Sequence, residues 1–240
     1  MVTVSPTPEE NFSLGENFCL RVEKMIKQLN PQVIWLCSPN NPTGETINPK
    51  LVARIAQKTK GLVVVDEAYQ EIFDPENKFS AVKLIKEHKN ILVTKSFSKA
   101  FGLAGIRVGM CIANSKIAKA LESNQLNFPI STSSERAAIS ALDDSDFLNK
   151  VHDHFEKERK FLFSEIDKLS NLERGGNSKT NIFILKHKKK SIFNLFLKEN
   201  IMVADFNKMN GLEDQGFARI TIKNHFENIQ LLNVLRKTSA

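Results

Sequence analysis

The 240-residue chain has few of the residues that build disulfide frameworks and metal sites. It contains three cysteines, one tryptophan and one tyrosine. Cys19, Cys37 and Cys111 are odd in number, far apart and set among apolar residues, which predicts buried, reduced thiols and no metal site. No apolar run is long enough to cross a bilayer, so no membrane partner is expected. The first residues lack the pattern of a signal peptide, and a cytoplasmic location is the expectation.

The composition is that of an ordinary folded protein, with 41% hydrophobic and 25% charged residues. This length can form one large domain or two smaller ones. The formal net charge of +7 is spread along the chain, and its densest basic run, residues 186–190, is predicted to be a solvated loop or helix start. We therefore expect no nucleic-acid partner, while anionic small molecules are compatible with the charge.

Short apolar runs alternate with segments of helical spacing in the first part of the chain. The runs predict strands at residues 33–37, 62–65, 91–94 and 108–113. Helical spacing is found at residues 49–60, 80–88, 115–123 and 133–142. This alternation is typical of parallel βαβ units with strands buried on both faces, so the sequence predicts an α/β fold.

The last third of the chain has a different sequence pattern. A long charged helix is predicted over residues 145–170. It is followed by strands at 181–185 and 217–222 and helices at 191–199 and 227–236. The sequence therefore predicts two domains, residues 1–150 and residues 151–240.

Polar clusters follow three successive predicted strands, at residues 38–44, 66–69 and 94–107. Ligands of open α/β sheets bind at the carboxyl ends of the strands. Each cluster alone has a simpler interpretation: residues 38–44 can be a plain turn, and Asp66 can cap a helix. The Ser96-x-x-Lys99 spacing also occurs in serine acyl-enzymes, but the Ser-Asp-Asn and Lys-Thr-Gly motifs of those enzymes are absent.

Lys99 lies among hydroxyl groups just after a predicted strand, and Arg107 follows eight residues later. A lysine amine can form a Schiff base with an aldehyde, while hydroxyls and a guanidinium can hold phosphate oxygens. The amine must be uncharged to react, which a desolvated site beside Arg107 favours. The segment therefore predicts attachment of an aldehyde cofactor that carries a phosphate.

Four motifs occur in a fixed order: Asn-Asn-Pro-Thr-Gly (40–44), Asp-Glu-Ala-Tyr (66–69), Ser-Phe-Ser-Lys-Ala-Phe-Gly-Leu-Ala-Gly-Ile-Arg-Val-Gly (96–109) and Ala-Arg-Ile-Thr-Ile (218–222). Their combination resembles the class I/II aminotransferases, pyridoxal-phosphate enzymes of fold type I, and in particular the histidinol-phosphate aminotransferase branch. The resemblance runs from residue 32 to residue 236. It implies a partial three-layer, mostly parallel sheet with helices, a small C-terminal α/β domain, a homodimer and a role in amino-acid biosynthesis.

The resemblance also assigns the residues that contact the cofactor, pyridoxal 5′-phosphate. Lys99 is implied to be the Schiff-base lysine that also moves the substrate proton. Asp66 is implied to pair with the pyridinium nitrogen. Asn41 and Tyr69 are implied to bind the phenolic oxygen, with the Asn41–Pro42 bond expected in the cis form.

The remaining assignments concern the cofactor phosphate and the substrate. Ser96, Ser98 and Arg107 are implied to hold the phosphate. Arg219 is implied to grip the α-carboxylate of the substrate, for which a guanidinium fork is suited, although a solvated arginine at a strand edge is the simpler alternative. Asn181 is expected to line the same pocket.

The sequence departs from the family pattern in two respects. Only 40 residues precede Asn41, and they contain no Gly-rich phosphate loop, so exposed apolar surface is expected where family strands would pack. Ala204 stands where the histidinol-phosphate branch has an arginine that contacts the substrate phosphate, a loss for which Lys208 could partly compensate. This second departure argues against histidinol phosphate as the substrate.

Three functions remain open at this point. The first is transfer of an amino group between an amino acid or amino-phosphate, the small-molecule donor, and a 2-oxo acid. The second is a truncated family member with little or no activity. The third is decarboxylation on the same scaffold, since the sequence does not show which bond to the α-carbon is broken.

Overall fold

The structure, a computed structural model, describes residues 1–206, 212, 213 and 215–237. Lys208 lies outside the described residues. The chain divides into two compact units. The first unit comprises Met1–Val4, Leu14–Pro39 and Thr46–His152, and the second comprises Ser5–Ser13, Asn40–Glu45 and Asp153–Ala240. The assignment of residues 1–150 and 151–240 to two domains stays a prediction.

The first unit is built on a four-stranded sheet. Its helices and strands, in chain order, are α1 (Glu16–Leu29), β1 (Val33–Cys37), α2 (Pro49–Gln57), β2 (Leu62–Asp66), α3 (Gln70–Phe73), β3 (Ile91–Ser96), β4 (Gly109–Ala113), α4 (Ser115–Glu122) and α5 (Thr132–Asp143). The strand order is β1-β2-β3-β4, with the first three strands parallel and β4 antiparallel to β3. The predicted α/β class with a mostly parallel sheet is confirmed.

Local chemistry explains where the helices of this unit begin. The Asn48 side chain accepts a hydrogen bond from the Lys50 amide, and Pro49 provides a first helical residue that needs no amide partner. Residues 80–88 were predicted to be helical, but the structure has a 3₁₀ helix, Ala81–Lys86. Ser80 caps it by accepting from the Val82 amide.

The core of the first unit lies between one face of the sheet and helices α1 and α2. Its most deeply buried side chains are Cys19, Ile55, Val63, Ile91 and Val93. Burial on both faces was predicted for all three parallel strands, which is correct for the centres of β2 and β3 and wrong for β1. Strand β1 is the edge strand, and Val33 and Trp35 point away from the core and are exposed. This unit therefore exposes apolar side chains on its edge strand, and the expectation that family strands would pack there stays a prediction.

The three cysteines were all predicted to be buried, which is wrong for Cys111. Cys19 is fully buried, Cys37 is half-buried, and Cys111 is exposed on the edge strand β4. Burial raises the pKa of the Cys19 thiol to about 11. Since only the thiolate reacts with alkylating agents, reactivity should differ strongly between these sites.

We expect iodoacetamide at mildly alkaline pH to modify Cys111 long before Cys19. The raised pKa alone lowers the thiolate fraction of Cys19 by about a hundredfold, and burial also restricts access. Peptide mass spectrometry over a time course measures the two rates. Equal rates would contradict the packing of α1 on the sheet.

The second unit is built on a four-stranded antiparallel sheet. Its elements are β5 (Leu172–Gly175), β6 (Ile182–His187), α7 (Ile192–Lys198), β7 (Ala204–Asp205), β8 (Phe217–Thr221) and α8 (His225–Lys237), and the strand order is β5-β6-β8-β7. Before them, α6 (Ser145–Ile166) contributes the buried residues Leu162 and Ile166. Phe183, Phe196 and Ile220 fill the same core. Strands β5 and β7 were not predicted.

None of the described helices is long and apolar enough to cross a membrane.

Candidate active site

The candidate cofactor residues of the first unit lie at and just beyond the carboxyl ends of two neighbouring parallel strands. Strand β2 ends at Asp66 and β3 at Ser96, and Asp66 is the Cα partner of Thr94. Tyr69 follows β2, while Ser98, Lys99 and Arg107 follow β3. The sheet therefore brings the polar clusters after β2 and β3 to one end, as the strand order requires.

Lys99 lies in the turn after β3 with its amine unengaged. Its Nζ is 5.4 Å from the centroid of the Tyr69 ring, and it makes no hydrogen bond or ion pair with any described residue. The side chain is exposed, so the desolvated environment expected for it is wrong for this chain. The turn places it beyond the packed strands, where no described side chain covers it. The amine is free to react, but nothing in the described chain excludes water from it.

Asp66 and Tyr69 also keep polar atoms available. One carboxylate oxygen of Asp66 accepts a hydrogen bond from the Ala68 amide at 3.1 Å, and the other accepts none from a described residue. Asp66 does not cap α3, whose N-cap residue is Tyr69. The Tyr69 ring is buried, and its hydroxyl makes no hydrogen bond within the described part of the chain. Both side chains can therefore accept a bound partner without breaking existing bonds.

The predicted phosphate-binding residues show one tight turn and one unusual backbone conformation. The Ser98 amide donates to Ser96 Oγ at 3.1 Å. Arg107 has φ +55° and ψ +43°, and its Nη1 donates to the Ala104 carbonyl at 2.9 Å. A left-handed conformation costs a non-glycine residue about 1–2 kcal/mol. Such outliers cluster at functional sites, so this one supports a binding role for Arg107.

Asn41 and Arg219 are joined in the second unit. Arg219 lies on β8, and its Nη1 donates to Asn41 Oδ1 at 2.8 Å. The Asn41–Pro42 bond is cis, as predicted, and so is Ser38–Pro39. The loop that carries Asn41 is anchored by the Lys179 amide, which donates to the Gly44 carbonyl at 3.0 Å. Asn41 therefore holds the Arg219 guanidinium, while the choice between a carboxylate grip and a solvated arginine stays a prediction.

Unpaired buried polar atoms mark the predicted substrate residues. Within the described residues, the buried side-chain nitrogen and oxygen atoms without a hydrogen-bond partner are Arg54 Nη2, Glu71 Oε2, Asn181 Oδ1 and Arg219 Nε. Each such atom costs about 1–3 kcal/mol unless a partner binds. Two of these four residues are the two that the sequence assigns to substrate binding. A free guanidinium Nε fits an incoming carboxylate oxygen, so the residues present fit the assigned ligand.

Ala204 is adjacent to Arg219 in the second sheet. The two residues are Cα partners on the antiparallel strands β7 and β8, so their side chains share a face. Both line one pocket of about 700 Å³ in the second unit. A side chain at position 204 therefore projects beside the guanidinium that is proposed to hold the substrate.

Sequence reasoning missed a buried charge cluster at the same strand ends. Lys95, Glu67 and Glu71 are each less than one tenth exposed. The available signal was a lysine inside the apolar β3 segment, since a lysine is almost never buried without a charged partner. The partners are 24 and 28 residues away in sequence, and only the folded structure brings them to Lys95.

A mostly parallel sheet with a carboxylate at the end of one strand and a lysine after the neighbouring strand is the arrangement of pyridoxal-phosphate enzymes of fold type I. The chain matches the aminotransferase class I and II family over residues 2–235, and it belongs to that family. It is 37% identical to histidinol-phosphate aminotransferase of Thermoanaerobacter sp. over 215 residues, which are 89% of this chain and 59% of that protein. The chain thus spans about 60% of the length of the curated relatives it matches.

Solved structures agree with the family assignment. The crystal structure of the histidinol-phosphate aminotransferase from Clostridium acetobutylicum superposes with a TM-score of 0.84 at 28% identity, covering 94% of this chain and 70% of that chain. The Sinorhizobium meliloti histidinol-phosphate aminotransferase, solved in complex with pyridoxal 5′-phosphate, gives a TM-score of 0.76 at 25% identity, covering 90% and 60%. Pyridoxal 5′-phosphate is therefore the cofactor that the family assigns to this chain.

Proposed function

We propose that this chain acts in pyridoxal-phosphate-dependent transfer of an amino group between an amino acid or amino-phosphate and a 2-oxo acid, with Lys99 as the attachment point of the cofactor. One observation carries the proposal: the Lys99 amine has no hydrogen bond or ion pair with a described residue and faces the Tyr69 ring after the two strands that end in Asp66 and Ser96. An amine without a hydrogen bond or ion pair can react with an aldehyde carbonyl.

Each residue contributes a distinct step. When bound, the cofactor withdraws electrons from the bond that breaks at the α-carbon of the substrate. Lys99 would hold the cofactor through its amine and would move the α-proton of the substrate. The Asp66 oxygen without a hydrogen bond would keep a ring nitrogen protonated, and Ser96, Ser98 and Arg107 would hold the phosphate. In the second unit, Arg219, oriented by Asn41, holds the α-carboxylate, with Asn181 as a further substrate contact.

The test uses the purified wild-type chain and pyridoxal 5′-phosphate. We expect a cofactor-dependent absorbance band that survives dialysis and is bleached by borohydride. Peptide mapping should then find the reduced cofactor on the peptide that contains Lys99. The proposal fails if no such band forms, or if the label is spread over the exposed surface lysines as expected for unspecific reaction of the aldehyde.

A second candidate is a family member with little or no turnover on its own. It is favoured by the exposure of Lys99 and by the 59% coverage of the relative from Thermoanaerobacter. It predicts that the absorbance band forms weakly and is lost on dialysis.

Product analysis of an active preparation separates transamination, which gives a 2-oxo acid, from decarboxylation, which gives an amine. We also propose that the chain forms the homodimer that the resemblance implies. Sedimentation of the cofactor-loaded protein tests this oligomeric state.

Position 204 should control preference for a phosphorylated substrate. Ala204 shares a face with Arg219, so an arginine there would add a phosphate-binding group beside the carboxylate site. A charge-assisted bond contributes about 1.5–3 kcal/mol, so Ala204→Arg should bind histidinol phosphate about 10–100-fold more tightly, with histidinol unchanged. Calorimetry measures the dissociation constants of both ligands. Ala204→Met, similar in length but uncharged, is the control. An equal gain in that variant would show that the effect is packing, not phosphate recognition.

A further inference from the structure

We propose that Lys95, Glu67 and Glu71 are positioning residues, which form a buried charge cluster that fixes the ends of β2 and β3 and thereby places Asp66 and Lys99. The placement of Asp66 and Lys99 is a property of the fold. The effect of that placement on cofactor binding rests on the proposed function. Neither the motifs nor the comparisons assign a role to the cluster.

The cluster satisfies every proton of the lysine amine. Lys95 Nζ lies 2.9 Å from Glu67 Oε2, 2.7 Å from Glu71 Oε1 and 2.7 Å from Asn77 Oδ1. An ammonium group has three protons, so these three acceptors fix its position as well as its charge.

Glu67 connects the cluster to the 3₁₀ segment that follows. Its Oε2 also accepts from the Ser80 hydroxyl, and its Oε1 accepts from the Ala81 amide, both at 2.6 Å. The Glu67 amide donates to the Thr94 carbonyl at 2.9 Å, beside Lys95. One side chain thus ties together the end of β2, the end of β3 and the segment that begins at Ser80.

The sheet register places this cluster behind the candidate site. Asp66 and Thr94 are Cα partners, so their side chains lie on one face, together with Ser96 two residues later. Lys95, between Thr94 and Ser96, points to the opposite face, the face of the core residues Val65 and Val93. The cluster therefore fixes the strand ends from the core side, while the side chains of Asp66 and Ser96 lie on the other face.

The charges of the cluster do not balance, which argues against a purely stabilising role. Two carboxylates face one ammonium, and Glu71 Oε2 has no hydrogen-bond partner within the described residues. Burial by itself lowers the pKa of Lys95, but the charges and hydrogen bonds of Glu71 and Glu67 outweigh burial and raise the pKa. Buried ion clusters of this kind are weak sources of stability, and their best-attested use is to specify one conformation.

Hydrogen exchange of the cofactor-free protein tests the placement directly. In Lys95→Met we expect exchange in residues 66–69 and 96–103 to accelerate about tenfold or more, with α1 and β1 unchanged. Lys95→Arg keeps the charge and donors and should restore slow exchange. Lys78→Met is the matched control, since Lys78 pairs with Glu76 at 2.8 Å on the exposed surface. Unchanged exchange in these segments, or an equal rise throughout the chain, would overturn the proposal.

A second measurement links the cluster to the cofactor. We expect the dissociation constant for pyridoxal 5′-phosphate, followed by absorbance well below the melting temperature, to rise roughly 10–100-fold in Lys95→Met, and to recover in Lys95→Arg. If the wild-type chain binds no cofactor, the proposed function fails, while hydrogen exchange still decides the placement. If exchange accelerates locally and cofactor affinity stays the same, the cluster orders the segments without positioning the site, and the proposal is wrong.

Discussion

Replacing Lys99 with alanine is expected to abolish the borohydride-stable cofactor label and all measurable amino transfer. The variant removes the side chain that is proposed to be both the covalent attachment point and the group that moves the α-proton. Proton transfer by a positioned side chain alone contributes about 10²–10⁴-fold to a rate. The fold should be unaffected, since Lys99 is exposed and makes no hydrogen bond or ion pair with a described residue. We expect its stability to stay within about 0.5 kcal/mol of the wild type.

The measurement compares Lys99→Ala with Lys116→Ala, another exposed lysine of the first unit, on helix α4. Mass spectrometry after borohydride reduction reports the label, and thermal melting reports the fold. Lys116→Ala should keep the wild-type label. If Lys99→Ala carries the full label while its thermal melting shows an intact fold, the cofactor is attached to another lysine. The proposed function would then lose its basis.

The parts of the fold that sequence predicted best are those where local pattern and tertiary environment agree. Strands β2 and β3 are continuous apolar runs because their central residues are buried on both sides. The motifs after them lie at the strand ends because the strands are parallel neighbours. The long helix α6 followed from its amphipathic spacing over many turns, a signal that short elements lack.

The parts that sequence could not predict depend on pairings distant in sequence. Strands β5 and β7 have four and two residues, too few for a clear period, and exist because β6 and β8 lie beside them. The exposure of Trp35 and Cys111 follows from the edge positions of β1 and β4, which no local pattern encodes. Likewise, the motifs named Asn41 and Arg219 separately, but their bond spans 178 residues.

The loop that carries Asn41 offers the second large effect, at Gly44. Gly44 has φ +72°, and a Cβ there would lie 2.0 Å from Ser178 Oγ and 2.6 Å from the Ile182 carbonyl oxygen. Ser178 is buried, and its hydroxyl already donates to that carbonyl. Gly44→Ala therefore combines a left-handed backbone, which costs about 1–2 kcal/mol, with overpacking, which costs about 1–3 kcal/mol. We expect a loss of about 2–5 kcal/mol from the free energy of unfolding.

Two glycines of the first unit separate these contributions. Gly102 has φ +68°, and no atom of a described residue lies within 4 Å of an added Cβ, so Gly102→Ala should cost only the backbone part, about 1–2 kcal/mol. Gly105 also has open space and no positive φ, so Gly105→Ala should be neutral or stabilise by up to about 1 kcal/mol. Urea unfolding, followed by circular dichroism, measures the free energy of unfolding of all three glycine variants.

The same variants connect stability to the substrate site. Residues 40–45 group with the second unit, so a displaced Gly44 should move Asn41 away from Arg219 and break their 2.8 Å hydrogen bond. Trp35, the only tryptophan, lies in the first unit, so its fluorescence reports unfolding of that unit. In Gly44→Ala the fluorescence midpoint should therefore stay nearer to the wild-type value than the circular-dichroism midpoint does. If Gly44→Ala is as stable as Gly105→Ala, the loop does not need its left-handed turn. Asn41 would then not be fixed by the packing of Gly44 against Ser178, and the orientation of Arg219 would need another cause.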